Sequence, residues 1–105
     1  MKTDSQEYAS KSIDLLHYSS FGVVRKKLNE YGFNPEWVYP STQKQKKWMY
    51  IDHDTGKKTH FGHFSKEDFT KHKDSKRLEA FRKRNAKWAT APKGSPMWMA
   101  YHILW

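Results

Sequence analysis

The sequence predicts a small α+β domain: an antiparallel β-hairpin packed on helices, with a basic helix and a short apolar helix near the C-terminal end. Three features predict it. A stretch with helical apolar period ends at a glycine followed by a proline, an alternating stretch folds around a glycine turn, and serine and aspartate caps punctuate the last third. The chain has 105 residues, so a single domain is expected. Charged residues make up 30% and hydrophobic ones 36%, but aromatics reach 16%, and large rings bury enough area to hold a core short of aliphatic side chains.

Residues 1–18 are polar, with Ile13, Leu15, Leu16 and Tyr18 gathered near the end. They read as a flexible arm able to dock through those four side chains, with the domain running from 19 to 105. Ser19 or Ser20 caps a helix whose apolar positions are Phe21, Val24, Leu28 and Tyr31, while Arg25, Lys26, Lys27 and Glu30 face away. Gly32 supplies the left-handed residue after the last turn, and Pro35 prevents the helix from resuming.

"KKWMYIDHDTGKKTHFGHF" predicts the hairpin of a two- or three-stranded antiparallel unit. Trp48 and Tyr50 alternate against Met49 and Ile51, Gly56 makes the turn, and Gly62 ends or bulges the second strand. Ser65 and Asp68 form a capping-box pattern for a short helix over about 65–72, and Asp74 caps a longer one over about 74–88. Leu78, Phe81 and Trp88 share a face of that second helix. Ser95 and Pro96 then start a terminal helix, "MWMAYHILW", apolar nearly all round and so buried in the core or against a partner.

Charge is the strongest functional signal. The net charge is +9, and residues 71–87 carry +6 of it through Lys71, Lys73, Lys76, Arg77, Arg82, Lys83, Arg84 and Lys87 against Asp74 and Glu79. Such a helix is either a solvated face or a surface for phosphates or an acidic protein. Trp98, Tyr101, Leu104 and Trp105 are the expected partner anchor.

No catalytic set is legible. The chain lacks cysteine, a glycine-rich phosphate loop and a nucleophile elbow, so thiolate chemistry and disulfides are excluded and no cofactor is expected. His53, His60, His63 and His72 superficially suggest a hairpin-helix metal nuclease or a zinc site. Zinc on His60, His63 and His72 would find a fourth ligand only in Asp68 or Asp74, so the histidines read instead as imidazoles packed beside Phe61, Phe64 and Phe69, with no metal. The aromatic residues likewise read as core rather than as base-stacking platforms. No signal peptide and no membrane-spanning run is present.

The segments "YPSTQKQKKWMY", "KKTHFGHFSKEDFTKHKDSKRLEAFRKRN" and "SPMWMAYHILW" resemble a family of uncharacterised short basic proteins or domains of large double-stranded DNA viruses of eukaryotes. Pro40, His60, Phe61, Gly62, Asp68, Phe69, Thr70, His72, Lys73, Asp74, Arg77 and Arg84 match its pattern. The resemblance implies a viral source and a virion or genome-associated role, and it carries no catalytic residue. The expectation is therefore a non-enzymatic structural protein of the virus particle, a minor capsid or internal virion protein. Its partners would be other virion proteins and its location the virion, with host cytoplasm or nucleus during assembly. A nucleic-acid-binding module using the 71–87 helix on DNA is the alternative.

Overall fold

A computed structural model describes residues 15, 16, 18–64 and 66–105. The chain forms helix α1 (Phe21–Glu30), strands β1 (Val38–Pro40), β2 (Lys46–Ile51) and β3 (Lys58–His63), and helices α2 (Phe69–His72), α3 (Ser75–Arg84) and α4 (Pro96–Met99). The sheet is antiparallel in the order β1-β2-β3. The α+β class is as the sequence predicts.

Local chemistry sets the helix ends. The Ser20 side chain accepts from Val23 N–H to start α1, and Gly32, at φ 86°, follows its C-cap Tyr31. Asp52 organises the hairpin turn: its Oδ1 accepts from Asp54 N–H at 2.8 Å and Thr55 N–H at 3.2 Å. Ser95 Oγ accepts from Trp98 N–H at 3.3 Å, with Pro96 in the first turn where no donor is needed.

The strand register puts Trp48 opposite Phe61 and Tyr50 between Val38 and Thr59. Because strand side chains alternate, these residues share one face. Val24 and Leu28 of α1 join that cluster, as do Trp98, Met99, Ile103 and Leu104 from the end of the chain. Phe21 stacks on Trp48 with ring centroids 5.4 Å apart.

Four expectations are corrected here. Gly62 neither ends β3 nor bulges it: the strand continues through His63, paired with Lys46. At φ 84°, a Cβ on Gly62 would stand 2.6 Å from Leu104 Cδ1, so the missing side chain is what lets the terminal segment close on the sheet. Asp68 is itself the N-cap of α2 rather than the third residue of a capping box, and Ser65 lies outside the described residues. The basic helix stops at Arg84, because Asn85 turns its side-chain amide back to Phe81 O at 3.0 Å, and a 3₁₀ segment Ala86–Thr90 follows. The boundary between arm and domain also moves. Leu15 is fully buried in the core and Tyr18 packs on Phe64 at 5.9 Å, so the domain begins before residue 19. The rest of the expected arm, residues 1–14 and 17, lies outside the described residues.

Candidate nucleic-acid interface

The basic helix is positioned by a buried polar network. Asp68 Oδ2 accepts from Lys47 Nζ at 3.0 Å, with only 2% of the lysine side chain and none of the aspartate exposed. Asp68 Oδ1 accepts from Thr70 N–H at 3.1 Å and from the Thr70 hydroxyl. A hydroxyl has one proton and two lone pairs. Having donated to Asp68, Thr70 Oγ1 must accept from Ser20 N–H at 2.9 Å and from the Ser19 hydroxyl at 3.2 Å. That arrangement leaves Ser19 Oγ free to accept from the indole N–H of Trp48 at 2.9 Å. Every donor points toward the one carboxylate, which Lys47 neutralises.

Burial pushes the Lys47 ammonium below its ordinary pKa, while the Asp68 charge and hydrogen bond pull the other way. The network joins residues 19–20, β2 and α2, and Asp68 N–H adds a bond to Tyr18 O at 3.0 Å. The start of α2 is thus pinned to the core.

From α2 the chain turns sharply. Lys73 is left-handed at φ 54°, and Asp74 caps α3 by accepting from Lys76 N–H at 2.9 Å and Arg77 N–H at 3.2 Å. His72 Nδ1 accepts from Asp74 N–H at 2.9 Å, which fixes the neutral ring with its proton on Nε2. That Nε2 is buried, and no described residue accepts from it. Burial lowers the His72 pKa, and the nearby Arg77 charge lowers it further.

Helix α3 has no buried residue. It leans on the body through Phe81, whose ring stacks on Trp105 at 4.4 Å and 4° and meets Trp88 edge to face at 5.9 Å. Arg82 adds a bond from Nη2 to Trp105 O at 3.2 Å. Between α3 and the body lies a cleft of about 1050 Å³. Arg77, Phe81 and Arg84, four and three residues apart on one side of α3, line it from the helix, and Trp88 lines it from the 3₁₀ segment that follows. Lys46, Lys47 and Lys66 line it from the body, with the Lys47 ammonium paired to Asp68. Among the described residues Glu67 is the single carboxylate of the lining, 3.7 Å from Arg77.

The eight basic residues singled out from the sequence therefore divide. Arg77 and Arg84 border the cleft. Lys71, Lys73, Lys76, Lys83 and Lys87 are exposed away from its lining, with Lys83 pairing to Glu79 at 3.3 Å, and Arg82 turns to the chain's last residue. Lys46 and Lys66 were missed. Nothing local marks them, since their role comes from sharing the cleft with α3.

The expected partner anchor is corrected. Trp98 and Leu104 are 7% and 1% exposed and belong to the chain's own core. Tyr101 and Trp105 are half-buried against Phe81. The physical reason is the π turn Ala100–Leu104, which adds a residue to the repeat and turns Ile103 and Leu104 inward beside Met99.

The histidines are dispersed. His53 bonds to the Tyr39 hydroxyl at 3.0 Å and stacks on Trp37, His60 meets Ser41 Oγ at 2.7 Å, and His102 reaches Ala89 O at 3.1 Å. Among the described residues, no group of three His, Asp or Glu side chains is placed to hold a metal ion. No helix among them is long and apolar enough to cross a membrane.

Residues 37–85 match the model of a family of unknown function (DUF5754). The match runs from the start of the sheet to the end of α3, so it spans the Lys47–Asp68 pair and both arginines of the cleft. No curated protein and no solved structure matches the chain.

Proposed function

We propose that this chain is a small non-enzymatic nucleic-acid-binding protein that holds phosphates along the cleft side of α3. One observation carries the reading: Arg77 and Arg84 of the helix and Lys46 and Lys66 of the body line one cleft, with Glu67 the one carboxylate among its described lining residues. Cations contributed by helix and body to one cleft create a positive potential that a solvated helix face alone would not concentrate. Arginine adds planar, multi-donor contacts to phosphate oxygens. The resemblance to proteins of large double-stranded DNA viruses implies a place beside the genome, as an internal virion protein made in the host cytoplasm or nucleus.

The experiment is titration of labelled nucleic acid by fluorescence anisotropy across a salt series. Affinity should fall linearly on a log–log plot, with a slope of about −0.7 per contacted phosphate for a single strand and about −0.9 for duplex. Arg77→Glu with Arg84→Glu should abolish binding, while Lys76→Glu with Lys83→Glu should leave most of it. Binding unaffected by the first pair would defeat the proposal.

A role as a minor capsid protein remains the second reading, supported by the same resemblance. With Trp98 and Leu104 in the core, it would have to dock through the basic helix and not through the terminal segment. Co-assembly lost in the Arg77/Arg84 variant, with no nucleic-acid binding by the wild type, would favour it.

A further inference from the structure

We infer that the cleft takes an unpaired strand of DNA or RNA in preference to a duplex, an inference that rests on the nucleic-acid reading above. The lining is what points there. Phosphate binding requires only the cations of the lining, yet the same cleft presents Trp88, Phe81, Pro96 and Met97. Met97 is 46% exposed, one of the few large apolar side chains left in water among the described residues.

Such surface adds nothing to a ligand that is only anionic. It suits one that carries flat apolar rings beside its charges. Bases of an unpaired strand meet that description, whereas a duplex covers its base faces by internal stacking and offers only edges and phosphates.

The rings also divide by availability. Phe81 and Trp105 lie face to face on each other, and Phe81 meets Tyr101 as well, so both are committed to the fold. Trp88 contacts no ring other than Phe81 among the described residues, and it is only half-buried. Trp88 and Arg84 line the same cleft, so a base stacked on the indole brings the adjoining phosphate toward that guanidinium. Trp88 is the stacking platform, Met97 extends the apolar floor, and Arg84 with Lys46 flanks the backbone.

The test compares oligothymidylate, a hairpin duplex of equal nucleotide count and heparin, at one salt concentration, with the full chain. Oligothymidylate should bind about ten-fold or more tightly than the duplex, the gain one stacked base supplies. Trp88→Ala should remove that margin while leaving duplex and heparin affinity unchanged, and Trp88→Phe should keep most of it. Both variants are checked for wild-type melting first; if alanine unfolds the chain, the phenylalanine variant and quenching of tryptophan fluorescence by oligothymidylate decide. Duplex binding as tight as oligothymidylate, or an equal loss for all three ligands in Trp88→Ala, overturns this inference and leaves the nucleic-acid reading intact. No binding to either nucleic acid overturns both.

Discussion

Lys47 Nζ and Asp68 Oδ2 meet at 3.0 Å in the interior, 21 residues apart in sequence, with almost none of either side chain in contact with water. The pair ties the central strand to the helix that carries the basic segment. Removing one partner leaves an uncompensated buried charge, so Asp68→Ala should destabilise the fold by roughly 3–5 kcal/mol. Lys47→Met keeps the volume but strands the carboxylate and should cost a similar amount. The double variant Lys47→Met/Asp68→Ala should lose less than the sum of the single changes. Urea denaturation of the full cycle measures the coupling, and additive losses would contradict a pair acting as a unit.

Gly62→Ala tests how the terminal segment closes on the sheet. The new methyl would sit 2.6 Å from Leu104 Cδ1 and 3.3 Å from Lys47 Cβ, on a backbone at φ 84°. Left-handed strain costs about 1–2 kcal/mol and overpacking about 1–3 kcal/mol, so a loss of about 2–5 kcal/mol is expected by chemical denaturation. Gly22→Ala, where no atom lies within 4 Å of the new methyl, should be neutral or slightly stabilising.

Stability should depend on pH through His72. Its folded pKa lies below the ordinary 6.5, chiefly because of burial. The unfolded chain therefore takes up this proton first as pH falls. The contribution is fully present above 6.5 and is lost progressively as pH drops through the folded value. Protonation would also cancel the acceptor that holds Asp74 N–H. His72→Gln should flatten the slope of melting temperature against pH below 6.5 relative to wild type, and an unchanged slope would rule His72 out as its source.

Deleting residues 97–105 should unfold the protein outright. The cut removes Trp98, Met99, Ile103 and Leu104 from the core, and truncating even one such side chain to alanine typically costs about 2–5 kcal/mol. Four together amount to about 8–20 kcal/mol, as much as the whole margin of about 5–15 kcal/mol available to a domain. Met97→Ala, at an exposed position, should stay within about 0.5 kcal/mol of wild type. Circular dichroism and a thermal melt distinguish these outcomes.

The parts of this fold legible in the sequence are those set by neighbours along the chain. Ser20, Asp74 and Ser95 mark helix starts because capping is a contact across two or three residues, and the hairpin shows in alternation around Gly56. Lys47 was not legible. In "KQKKWMY" it reads as one more solvated lysine, and only Asp68, far along the chain, makes its burial tolerable. The short strand β1, ending at Pro40, has too little alternation to stand out from a loop. In the cleft, the seven-residue spacings Arg77–Arg84 and Phe81–Trp88 were visible, but Lys46 and Lys66 join them only through the turn at residues 73–74. The terminal segment showed its need for burial without showing which surface would supply it, and the π turn is a tertiary choice with no local mark.

That α3 buries no residue has a consequence for the order in which the fold opens. Amide protons exchange through local unfolding, and a helix held by one aromatic stack and a few surface bonds lies at the low end of the free-energy scale. Residues 75–84 should exchange with deuterium early, while Trp48, Met49 and Phe61 in the paired strands exchange only when the whole domain opens. A strand clamped between the helix and the body would change that ranking, slowing exchange in α3 far more than in the sheet. The helix that contributes least to holding the protein together would then gain the most from what the protein holds.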